Sequence, residues 1–124
     1  MLFNYDNRKV DNCNKILNGV YLGNYVSATK KYLLDRYGIT HILTVGSNLK
    51  PKFPLLYTYK IIEEFDIPTA NLKQHWTSCH EFIDEALAEG GTVLVHCYAG
   101  VSRSASTLIA YMMRKYNLNL YNAT

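Results

Sequence analysis

At 124 residues the chain is long enough for one domain around one hydrophobic core. With 48% hydrophobic residues, a net charge of +3 and no low-complexity or charged run, its composition argues against a disordered tail and a strongly basic nucleic-acid binder. No apolar stretch nears the length of a membrane span, and the opening MLFNYDNRKVDN has no signal-peptide pattern. Cys13, Cys79 and Cys97 are odd in number and widely spaced. This argues against a disulfide framework and a zinc site, and for a reducing, cytoplasmic setting with the nucleus also open to it.

Elements are predicted in chain order. Lys15–Leu17 and Val20–Leu22 read as short strands around an Asn18-Gly19 turn. Ser27 is positioned to cap a helix running through Tyr37, which Gly38 ends. His41–Val45 is an apolar strand, and a loop follows through Pro54. Tyr57–Ile62 reads as another strand. Pro68 disfavours helix at Ile67, so Asp66 to Thr69 is a loop. From Asn71 a helix carries Leu72, Trp76, Cys79, Phe82, Ile83, Ala86 and Leu87 on one stripe. Gly90 and Gly91 precede a buried strand at Val93–Val95. A last helix places Ala105, Leu108, Ile109, Met112 and Met113 at helical spacing. Strands alternating with helices give an α/β fold, a central mostly parallel sheet flanked by helices, in a single domain spanning 1–124. His41, His75 and His80 read as surface or packing histidines.

The chemistry concentrates in VLVHCYAGVSRSAS, residues 93–106. A strand ends at His96, the nucleophile Cys97 follows, and a helix begins after a loop of Tyr98, Ala99, Gly100, Val101 and Ser102. Backbone N–H groups at a helix N-terminus have no internal partner and favour anions. Gly100 lets successive N–H groups turn inward as an oxyanion nest. The positive environment that binds phosphate also favours a thiolate. Arg103 lies far enough along to fold back and hold two phosphate oxygens in its planar fork. Ser104 can donate to the sulfur and ease its departure, and His96 can fix the loop through backbone groups. The alternative is a buried cysteine at a strand end beside a helix-capping Arg-Ser pair.

HCYAGVSRS resembles the signature of the protein tyrosine phosphatase superfamily, and its AGVSRS ending resembles the dual-specificity branch. ILNGVYLGN and THILTV are similar to that branch as well, so the resemblance covers nearly the whole chain. It implies a two-step mechanism through a phosphocysteine, with no metal or other cofactor. It also implies a general-acid aspartate about thirty residues upstream, followed by an Asn-Leu pair. Asp66, thirty-one positions before Cys97, matches, with Asn71 and Leu72 after it. Asp66 would protonate the leaving oxygen and then deprotonate the attacking water. Glu63 and Glu64 are the rival acids.

The resemblance further implies phosphorylated proteins as substrates. A Glu64-Phe65-Asp66 acid segment stands where tyrosine-specific relatives carry Trp-Pro-Asp, which points to a shallow pocket open to phosphoserine, phosphothreonine and phosphotyrosine. The loop holds no lysine of the kind that meets additional phosphates on lipids, and no membrane or nucleic-acid partner is expected. A catalytically silent phospho-binding module or scaffold is the alternative; a sulfur-transfer or arsenate-reducing enzyme is a third reading, needing a second cysteine near Cys97. Family domains continue with another helix beyond the point where this chain stops. That predicts an uncovered apolar surface near Leu118, Leu120 and Tyr121, and self-association through it.

Overall fold

The structure, a computed structural model, describes residues 13–46, 49–62, 76–97 and 102–116, the side chains of 102 and 103 excepted. Strands β1 (Cys13–Leu17) and β2 (Val20–Gly23) form an antiparallel hairpin. A 3-10 turn over Ser27–Thr29 leads to α1 (Lys31–Arg36). Then come β3 (His41–Val45), β4 (Thr58–Ile62), α2 (Trp76–Ala88), β5 (Val93–Cys97) and α3 (Ser102–Lys115). The sheet order is β1-β2-β5-β3-β4, with every pair parallel except the opening hairpin. The mostly parallel α/β architecture expected from the sequence is therefore present.

The sheet has two covered faces, and this explains the apolar runs in β3 and β5, each buried along its whole length. One face carries Val20, Leu22, Leu43, Val45, Val93, Val95 and Cys97 against Ile83 and Ala86 of α2 and Leu108 and Tyr111 of α3. The other carries Ile42 and Leu94 against Leu34 of α1, with Phe53, Tyr57 and Tyr59 packed alongside. Side chains alternate across a strand, so neighbours in sequence on β5 serve opposite cores.

Two helices end in the same way and thereby aim the central strands. Gly38, at φ +69°, donates to Asp35 O while Ile39 donates to Leu34 O at 2.8 Å. Gly90, at φ +79°, donates to Leu87 O while Gly91 donates to Ala86 O at 2.8 Å. Each pair of bonds satisfies helix-end carbonyls and turns the chain toward the next strand. Thr40 and Thr92 then latch the starts of β3 and β5: Thr40 N donates to Thr92 O at 2.9 Å, and Thr92 N donates to Thr40 Oγ1 at 3.0 Å.

Two sequence expectations are corrected. Ser27 does not cap a helix through Tyr37. It is locked to Asn24, donating through Oγ to Asn24 O at 2.8 Å and accepting from Asn24 N at 3.1 Å, and α1 starts only at Lys31. A serine with a closer turn partner is lost to the helix. On α3 the fully buried line is Ser104, Thr107, Leu108 and Tyr111, while Ala105, Ile109, Met112 and Met113 are half-buried. No helix among the described residues is long and apolar enough to cross a membrane. The surface expected at Leu118, Leu120 and Tyr121 lies outside the described residues, as does the predicted helix start at Asn71.

Candidate active site

Cys97 ends β5, the middle strand of the sheet, hydrogen-bonded to parallel neighbours on both sides. Ligands bind such sheets beyond the carboxyl ends of the strands. The thiol is 2% exposed and points to the face covered by α3. There its Sγ lies 3.5 Å from Ser104 Oγ, itself fully buried in the first turn of that helix. Either atom can donate when the sulfur is a thiol; once it is a thiolate, only Ser104 can.

His96 sits on the other face of β5, and its ring is buried. Its Nε2 lies 2.8 Å from Thr44 Oγ1 of β3, and its Nδ1 lies 3.4 Å from the Cys97 carbonyl oxygen. Thr44 and His96 are register partners across the β3–β5 ladder. Burial pushes the imidazole down to about 4, opposed only in part by its bond to the Cys97 backbone. The ring is therefore neutral at physiological pH, since a charge there would lack water to solvate it.

The other described cysteines differ. Cys79 on α2 and Cys13 on β1 are free thiols pushed up to about 11 by burial, and Lys60 opposes the shift only weakly at Cys79. Both stay protonated, as packing residues do.

Of the sequence-predicted site residues, the structure brings Cys97, Ser104 and His96 together. Arg103 lies in the first turn of α3 beside Ser104. Tyr98, Ala99, Gly100 and Val101 lie outside the described residues, as do Asp66, Asn71, Glu63 and Glu64; for Ser102 and Arg103 the backbone alone is described. Thr44 escaped the sequence reading. Its signal there is a hydroxyl inside the strand HILTV, and the alignment with His96 appears only once β3 and β5 pair. Among the described residues no three His, Cys, Asp or Glu side chains gather as a metal site.

A second polar group lies on the flank of the sheet, where α2 meets α3. His80, Asp84, Tyr111, Arg114 and Lys115 line a cavity of about 230 Å³. Tyr111 Oη donates to Asp84 Oδ1 at 2.7 Å. His80 Nδ1 lies 3.4 Å from an Arg114 guanidinium nitrogen, so it accepts. Burial first, and Arg114 second, hold His80 below its ordinary value, with Asp84 pulling the other way. This group packs the two helices together and is separated from Cys97 by two turns of α3.

Known proteins resemble this chain along most of its length. Residues 20–124 match the family model described as dual specificity phosphatase, catalytic domain. The chain is 44% identical over 105 residues to Dual specificity protein phosphatase 1 of Arabidopsis thaliana, covering 85% of this chain and 53% of that protein. It is 47% identical over 108 residues to Dual specificity protein phosphatase MPK-4 of Drosophila melanogaster, covering 85% and 28%. The chain thus spans about half or less of the length of these relatives. Among solved structures, the human tyrosine phosphatase-like serine/threonine/tyrosine-interacting protein matches with a TM-score of 0.83 at 39% identity, over 90% of this chain and 78% of that one. DUSP15 matches with a TM-score of 0.82 at 34% identity, over 91% and 72%.

Proposed function

Because the chain belongs to the dual specificity phosphatase catalytic-domain family, we propose that it hydrolyses phosphate monoesters on protein tyrosine and serine or threonine through a phosphocysteine. The observation that carries this reading is the nucleophile geometry. Cys97 sits at the carboxyl end of the central strand, with Ser104 Oγ of the following helix 3.5 Å from its sulfur.

In the first step the Cys97 thiolate attacks phosphorus in line. The P–O bond to the substrate breaks, and Asp66 gives its proton to the departing oxygen. Arg103 and the N–H groups of Tyr98 to Arg103 hold the equatorial oxygens and tighten as charge shifts in the transition state. In the second step water attacks the phosphocysteine, Asp66 takes a proton from that water, and the S–P bond breaks. Ser104 donates to the sulfur as it regains negative charge. Phosphate leaves and the cycle closes without an external oxidant or reductant. Asn71 and His96 support the acid loop and the nucleophile loop.

The partner on this reading is a phosphorylated protein, not a nucleic acid or a membrane, consistent with a net charge of only +3. The site of action on this reading is the cytoplasm, with the nucleus also open to it. A second reading is favoured by one observation: the fold is shared, with a TM-score of 0.83, by a human tyrosine phosphatase-like serine/threonine/tyrosine-interacting protein, which suits a binding module. The presence of Cys97, Arg103 and Asp66 in this chain supports turnover instead.

Hydrolysis of p-nitrophenyl phosphate with reductant and a chelator tests the reading. The wild type should turn over, Cys97→Ser should not, and Arg103→Lys and Asp66→Asn should each lose at least about a hundredfold. Matched phosphotyrosine and phosphothreonine peptides then test the dual specificity. A folded wild type that binds tungstate but releases no phosphate would establish the binding module.

A further inference from the structure

The Cys97 nucleophile is held from behind, across the sheet, and the outermost member of that support is Thr44. Resting on the phosphatase reading, we infer that Thr44 is a positioning residue: its hydroxyl donates to His96 Nε2, so that His96 Nδ1 keeps its proton and holds the Cys97 carbonyl.

The argument begins with the tautomer. The Cys97 carbonyl oxygen can only accept, so the ring nitrogen 3.4 Å away must carry a proton if the contact is attractive. A neutral imidazole has one N–H, which leaves Nε2 as an acceptor. The one atom within hydrogen-bond reach of Nε2 among the described residues is Thr44 Oγ1, at 2.8 Å, and a hydroxyl can turn its proton to suit. The opposite tautomer would set the bare Nδ1 against a carbonyl lone pair. Burial keeps the ring neutral, so a doubly protonated ring does not provide an escape.

The sheet makes Thr44 hard to replace in this role. His96 is flanked in register by Gly23 on β2 and Thr44 on β3. Gly23 has no side chain to offer. The surrounding face is apolar, with Ile42 and Leu94 next along the strands. Thr44 is itself 4% exposed, so water does not substitute easily for its hydroxyl. A trans peptide is planar, so a carbonyl held on one side sends the following N–H to the other. In the proposed mechanism the oxyanion loop starts from the Cys97 peptide. Thr44 would therefore act on the loop through His96 and the Cys97 peptide, without touching substrate.

The test uses the side-chain ¹⁵N resonances of His96, tungstate affinity by calorimetry, and p-nitrophenyl phosphate kinetics. In the wild type Nδ1 should be protonated and Nε2 bare. Thr44→Val keeps the shape and removes the donor. It should mix or reverse the tautomer and weaken tungstate binding and kcat/KM by about tenfold each, the worth of one hydrogen bond. Thr44→Ser should restore all three readouts. A wild-type ring protonated at Nε2 overturns the inference by itself, whether or not Thr44→Val folds. So does a folded Thr44→Val enzyme with wild-type tungstate affinity, even if its melting temperature falls. If the wild type binds tungstate but does not turn over, the phosphatase reading fails, while the tautomer and the tungstate series still judge Thr44.

Discussion

Tyr111 of α3 donates its hydroxyl proton to Asp84 of α2 at 2.7 Å, although its ring is 1% exposed and Asp84 stands at the surface. The contact ties the helix that carries Ser104 to the helix that precedes the nucleophile strand. Burial, and then Asp84, push the phenol well above its ordinary value. A group whose folded-state value is raised gives its full stabilisation below its unfolded value of 10.0 and loses it as pH rises beyond that. Tyr111→Phe should cost about 1 kcal/mol at neutral pH, read from urea midpoints. It should also flatten part of the loss of stability above pH 10. Tyr57, pushed up to about 12 by burial and by Asp35, keeps the remainder of that loss in place.

The acid limb should belong largely to His96. Its folded value lies near 4, below its unfolded 6.5, so its contribution is complete above 6.5 and disappears as pH falls toward 4. The shift corresponds to roughly 3 kcal/mol. Urea midpoints taken between pH 7.5 and 4.5 should fall steeply in the wild type. A His80→Asn variant should keep most of that slope, because His80 is held down less. An acid limb unchanged in His96→Gln would assign the slope elsewhere.

Ser104→Ala should separate the two chemical steps. The serine meets the sulfur at 3.5 Å, and its donated proton matters most when sulfur is the leaving group. Stopped-flow hydrolysis should show a burst of p-nitrophenol, with kcat reduced about tenfold or more and kcat/KM nearly retained. Equal losses in both constants would place the serine in the first step.

Gly19→Ala should destabilise the fold by about 1–3 kcal/mol without touching the chemistry. Gly19 has φ +82°, and an added Cβ would stand 2.6 Å from Leu87 Cδ2 at the end of α2. The melting temperature should drop while kcat/KM per folded molecule stays at the wild-type value.

The alternation of elements was legible because β3 and β5 are rich in branched apolar residues and each follows a glycine-marked helix end. Cys97 and Ser104 were legible as well, since the spacing of a strand, a short loop and a helix already brings them to one place. The buried face of α3 was not. Ser104 and Thr107 lie on its innermost line, and a pattern of apolar spacing passes over buried hydroxyls and settles on Ile109 and Met113 instead. Ser27 misled for a related reason: a residue that suits a helix cap also suits a turn, and Asn24 three residues earlier claimed it. Thr44 needed the register itself, because a threonine in a strand is ordinary until its neighbour is a histidine.

The position of β5 has a kinetic consequence. Among the described strands it comes last in sequence yet it fills the centre of the sheet, pairing with β2 some seventy residues earlier and with β3 some fifty earlier. Such distant pairings are slow to form, because chain entropy must be lost before they reward it. Until they form, the hairpin and the β3–β4 pair are two separate ribbons with an open slot between them, and Cys97 has no strand end to occupy. A refolding chain should therefore regain hydrolysis in the same slow phase in which the β5 amides become protected from exchange, with neither running ahead of the other.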